Sequence, residues 1–219
     1  FCHTVTLALT RNKMPRWLSE GISVYEERQA QPTWGQRMNP RFRELILGGE
    51  LTPVSKMSGA FLAPESNLHL QFAYYQSSLV VEHLTERFGL EAIRNILKDL
   101  GEGVEINAAI AKHTEPLDKL ETAFRAYAVA KAKALAPELD WTKPDPETLR
   151  TGVEEFAKKH PKNFYLLVRQ ARRAFNDKDW EAVKAPCKEL IKLFPHQTRG
   201  DGNPYVMLAR AQRELEEYQ

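Results

Sequence analysis

The sequence predicts an all-α protein in two parts, and three observations predict it. Apolar residues recur at three- and four-residue steps, as in Trp17, Leu18, Ile22 and Tyr25, the spacing of one buried helix face. A long amphipathic run, NLHLQFAYYQSSLVVEHLTERF over 67–88, stops at Gly89. Pro161 and Pro195, 34 residues apart, each close a helix-like run, GVEEFAKKHP and CKELIKLFP.

The elements follow in chain order. Residues 1–10 are apolar and threonine-rich and are expected to be buried. Asn12–Pro15 makes a turn, and Pro15 stands where a helix can begin because its missing N–H would go unpaired there. A helix over 16–29 follows, then a loop over 30–40 broken by Pro32 and Gly35. Arg41–Leu47 reads as a short helix ended by Gly48 and Gly49, and 50–66, with Pro53, Gly59 and Pro64, as an irregular crossing. After helix 67–88 come helices over 91–100, 105–112 and 116–135. APELDWTKPDPE, 136–147, holds three prolines and reads as a linker. The domains are therefore 1–136 and 148–219, with 137–147 between them.

Composition narrows function. Hydrophobic residues are 42% and charged residues 27%, and the net charge is +2. That balance, with no basic run, argues against nucleic-acid or membrane-surface partners, and no stretch is long and apolar enough for a membrane span. No signal peptide is visible. Cys2 and Cys187 lie far apart and read as two free, packed thiols.

The C-terminal part is similar to tetratricopeptide repeats. Leu167, Ala171, Ala174, Trp180, Val183, Cys187, Leu190 and Pro195 stand where that 34-residue helix pair wants large, small, medium, aromatic, small, medium, apolar and proline residues. A further unit opens at Pro204, with Tyr205, Leu208, Ala209 and Tyr218, displaced by the longer turn HQTRGDGN. Packing between helices is the primary role of this stripe; binding of a peptide or protein partner on the concave face is an additional one.

The opening FCHTVTLALTRNKMPRWLSEGISVYEE carries the chemistry. Zinc peptidases place two histidines four apart on one helix, with a glutamate after the first, so that one turn aims both imidazoles at one ion. Were His-Glu to precede Phe1, the motif would end at His3. A catalytic zinc takes three protein ligands. Glu20, seventeen residues after His3 on a helix that a short turn folds back, is in reach of the same ion.

MPRWLSEGISVYEE resembles the P-R-W-L-x-E-G-x-A-x-Y-x-E segment of the peptidase MA-like family of gluzincin metallopeptidases. The matching residues are Pro15, Arg16, Trp17, Leu18, Glu20, Gly21, Tyr25 and Glu27, with Ser23 where alanine is usual. FAYYQSSLVVEHLTERFG is similar to the family's later helix and aligns Tyr74 and Ser77 with its tyrosine and serine. The resemblance covers roughly residues 1–130. It implies the helical half of a gluzincin-type domain, with His3 and Glu20 as zinc ligands and Tyr74, or Tyr75 in its place, donating to the developing oxyanion. It implies a peptide or protein substrate and a bacterial extracytoplasmic setting.

Glu27 and His69 are candidates to support the ligands from behind. His83 reads as half-buried and Trp17 as core. The resemblance also implies that the chain starts inside the histidine motif and ends one helix into a repeat. Without the first histidine and the general-base glutamate, residues 1–219 are expected to fold, to retain no stoichiometric zinc and to cleave no peptide. The rival expectation is a non-catalytic helical interaction module whose repeats bind a peptide or protein.

Overall fold

The computed structural model describes residues 2–198 and 202–216. The fold is all-α: among these residues the sole β-type pairing is an isolated bridge between Asp140 and Asn163. Two compact units divide the chain, Phe1–Leu135 and Ala136–Gln219.

The first unit holds α1 (Cys2–Leu9), α2 (Arg16–Ala30), α3 (Pro40–Leu47), a 3₁₀ helix (Val54–Phe61), α4 (Asn67–Glu102), α5 (Ile106–His113) and α6 (Leu117–Lys133). Its organising contact is α2 against α4. Gly21 makes that contact possible. A Cβ there would stand 2.7 Å from the carbonyl oxygen of Ser77 and 2.8 Å from its carbon, distances no side chain tolerates. Around this crossing Trp17, Leu18, Leu79 and Leu84 are almost fully buried, each stabilising by about 2 kcal/mol or more as its apolar area leaves water.

α4 runs helically up to Gly89, which takes φ 79°, and resumes beyond it, so the break at this glycine lies where the sequence placed it. Asn39 caps α3 by accepting from the Phe42 N–H, and Ser66 caps α4 by accepting from His69 N–H. A buried charge cluster ties three helices. Glu82 of α4 meets Arg28 of α2 at 3.0 Å, Lys131 of α6 at 2.7 Å and the Tyr127 hydroxyl at 3.0 Å. Burial alone would raise the Glu82 pKa. The Lys131 hydrogen bond and the Arg28 charge outweigh it and hold the carboxylate below its usual range.

Two expectations change here. Residues 2–10 are not buried as a body: Thr6 and Thr10 face inward, and Val5 and Leu9 lie exposed on the other side of α1. The inward spacing of four belongs to the threonines, whose hydroxyls are satisfied by Cys2 and Thr6 carbonyls. The crossing over 50–66 is partly regular, because Val54, Met57 and Phe61 drop into the core from the 3₁₀ helix.

The second unit holds α7 (Pro146–Thr151), α8 (Val153–Lys159), α9 (Phe164–Asn176), α10 (Trp180–Leu193) and α11 (Pro204–Glu214). The helix-like run closing at Pro161 is α8, with Gly152 at its N-terminal cap, and the further short helix α7 precedes it. α9, α10 and α11 pack together around Ala171, Ala174, Val183, Cys187, Met207 and Ala211. Leu167 is buried, and Trp180 is half-buried, edge-on to Phe175 at 5.6 Å. Pro195 is not a packing residue. It is exposed just past α10, and its carbonyl accepts from the Tyr205 hydroxyl at 2.8 Å. A helix-stopping proline needs only its fixed φ and missing N–H. Tyr218 and residues 199–201 of the longer turn lie outside the described residues.

The segment expected as a linker is pinned to the second unit. The backbone of Asp140 bonds to Lys162 and Phe164, Trp141 packs on the Phe164 ring at 4.6 Å, and Leu139 is buried. Pro137 lies in a turn closed by the Leu139 N–H on the Ala136 carbonyl, and Pro146 opens α7.

Candidate functional site

α1 and α2 form a hairpin across the turn Thr10–Pro15, and this brings His3 and Glu20 face to face. His3 Nε2 stands 3.5 Å from Glu20 Oε2. The other ring nitrogen, Nδ1, lies 2.8 Å from the hydroxyl of Ser19, which is itself buried. With the proton on Nδ1 and donated to Ser19, Nε2 turns a lone pair toward a carboxylate oxygen. In that tautomer the two facing electron-pair donors can share a cation; a proton on both ring nitrogens instead makes the contact a His3–Glu20 ion pair. The other tautomer puts N–H on Nε2, but 3.5 Å is beyond a good N–H···O bond.

The pair fits part of a zinc site. Ligand atoms held about 2.0–2.1 Å from a tetrahedral ion lie roughly 3.3 Å apart, close to the separation found here. The donor types, imidazole and carboxylate, also fit, and Ser19 orients the ring in the way a ligand histidine needs. Two donors do not complete a catalytic site. Among the described residues no group of three or more His, Cys, Asp or Glu side chains is placed to hold a metal ion.

Tyr74, on α4, is joined to this pair through Arg16. Arg16 Nη2 donates to the Tyr74 hydroxyl at 2.8 Å, and Nε contacts Glu20 Oε1 at 3.4 Å. Phe61 meets the Tyr74 ring edge-on at 5.1 Å. The hydrogen bond with Tyr74 is the main cause that raises the Arg16 pKa further, so the guanidinium is always charged. Tyr75, the alternative, points into the core, stacked on Phe42 at 5.2 Å, and burial drives its pKa up. Of the two tyrosines, Tyr74 is the one that shares a side of the molecule with Glu20.

The supporting candidates lie elsewhere. His69 sits between Glu50 at 3.1 Å, Glu65 at 3.7 Å and the Ser66 hydroxyl at 2.8 Å, in a capping cluster at the start of α4. Glu27 is exposed, its carboxylate against the backbone of Gly35. Neither touches His3 or Glu20, because each is held by its own local turn. His83 is buried against Tyr127 and Phe124, and burial lowers its pKa. The group that touches the His3 ring from behind is Ser19, which no sequence signal marked. Arg16 was visible as an i, i+4 partner of Glu20, not as a partner of Tyr74.

No helix among the described residues is long and apolar enough to cross a membrane. Comparison with protein-family models, with curated proteins and with solved structures finds no match to this chain.

Proposed function

We propose that this chain carries part of a zinc-dependent peptidase site of gluzincin type. The observation that supports it most is His3 Nε2 facing Glu20 Oε2 at 3.5 Å while Nδ1 rests on Ser19. In this reading His3 and Glu20 hold the metal, as two of the three protein ligands a catalytic zinc takes. The chemistry such an ion supplies is Lewis-acid activation of water and of the scissile carbonyl. Tyr74 donates its hydroxyl proton toward the developing oxyanion, and Arg16 fixes the direction of that hydroxyl by bonding to its oxygen. The substrate is a peptide or protein.

The test is a zinc titration of residues 1–219 followed by NMR of the six histidines. His3 should shift first, with an affinity between micromolar and millimolar, and Glu20→Gln should abolish the shift. A chelator should leave the thermal melt unchanged, since a catalytic ion is a guest in a folded site. Adding His-Glu ahead of Phe1 should tighten binding at least about a hundredfold. Zinc that leaves His3 unmoved, or no gain from His-Glu, defeats the proposal.

A second reading, a peptide-binding module, is favoured by an open hollow along α9 lined by Tyr165, Val168, Arg169, Arg172 and Asn176. It needs no metal, and a chain indifferent to zinc would leave it standing.

A further inference from the structure

Arg16 is better placed than its role toward Tyr74 requires. Its guanidinium lies over the Phe61 ring at 5.3 Å and the Tyr74 ring at 6.0 Å, so its plane is fixed by an aromatic floor as well as by the 2.8 Å bond to the Tyr74 hydroxyl. A guanidinium presents five N–H donors. One goes to Tyr74, and one makes the long 3.4 Å contact to Glu20. The side chain is 58% exposed, so a remaining edge opens on solvent beside the His3–Glu20 pair. Arginine forks match carboxylates two bonds at a time. The Tyr74 oxygen accepts from Arg16, so Tyr74 helps to hold the guanidinium in place while its own proton stays free for the oxyanion.

We propose that Arg16, held in place by Tyr74 and Phe61, forms a subsite for a carboxylate of the peptide that lies across His3 and Glu20. This rests on the peptidase reading and narrows its substrate class to peptides with a carboxylate near the susceptible bond, either a free C-terminus or an acidic side chain. With the Glu20 charge taken up by a metal, the Arg16 guanidinium is left without its carboxylate partner.

The experiment uses residues 1–219, isotope-labelled, with and without zinc. The probes are N-acetyl-alanyl-alanine, its C-terminal amide, and N-acetyl-aspartyl-alanine amide. The free acid should move the Arg16 Nε–H and Tyr74 ring resonances, with a dissociation constant on the order of 10 mM without zinc and tighter with it. The neutral amide should bind at least tenfold more weakly. The aspartyl amide tells a side-chain source from a terminal one. Arg16→Gln should cost at least tenfold in affinity for the acid, and Arg16→Lys less. The subsite is overturned if acid and neutral amide act alike, or if the acid still binds Arg16→Gln unchanged. The two readings fail separately. Zinc that shifts His3 while no carboxylate binds defeats the subsite alone. Carboxylate binding at Arg16 with His3 indifferent to zinc defeats the peptidase reading alone.

Discussion

Gly21→Ala is expected to loosen the first unit and the site together. The new methyl would sit 2.7 Å from the Ser77 carbonyl oxygen and 2.8 Å from its carbon. Those atoms are backbone inside α4, tied into its own hydrogen bonds, and cannot rotate aside. Normal contact at about 3.5 Å requires α2 and α4 to part by roughly 0.5–1 Å. Such overpacking costs about 1–3 kcal/mol, and the rigid neighbour puts this case in the upper half. Alanine returns about 1 kcal/mol through its better helix propensity. The net is a loss of about 1–2 kcal/mol, a fall of roughly 5 °C in the melting temperature of the first unit. The assay is thermal unfolding by circular dichroism, with Gly59→Ala as control, because a Cβ at Gly59 meets nothing within 4 Å. Gly21→Ala melting at or above the unsubstituted protein would refute the close-contact reasoning.

Glu82→Gln leaves Arg28 and Lys131 without their shared carboxylate. Both cations keep some water, so the cost should be about 2 kcal/mol, below that of a fully buried broken pair. The folded pKa of Glu82 is depressed, so its stabilisation is present above the unfolded carboxylate pKa and is lost as pH falls through the folded value. Urea melts should show the gap between the two proteins closing below about pH 4; a gap constant from neutral pH into acid would count against this. Cys187 is fully buried and its thiol is pushed up to about 11 by burial, whereas Cys2 is partly exposed. Iodoacetamide followed by mass spectrometry should therefore label Cys2 first and Cys187 only on unfolding, and early labelling of Cys187 would show that α9 and α10 open readily.

Much of the fold was legible because its signals are local. Helix periods, the proline ahead of α2 and the stop at Gly89 depend on residues within a turn or two of each other. The misses are where a neighbour distant in sequence decides. APELDWTKPDPE looked like a linker because prolines break helices, yet the Asp140 backbone pairs with Lys162 and Phe164, far along the chain. Val5 and Leu9 looked like core because they are apolar, but α1 meets α2 and α4 on its threonine side. α10 continues through Pro186, where a local rule would end it.

The site divides along the same line. His3 and Glu20 could be paired from sequence, since a short hairpin leaves their helices little choice of partner. Arg16 and Tyr74 are 58 residues apart, and their contact depends on the crossing of α2 over α4. That crossing is set by one residue, Gly21, whose missing side chain lets the two backbones meet at Ser77. Arg16 precedes Gly21 by five positions on α2, and Tyr74 precedes Ser77 by three on α4. Both side chains thus lie on the N-terminal side of the contact that aligns them. The glycine beside Glu20 thus shapes the candidate site, although it bears no reactive atom.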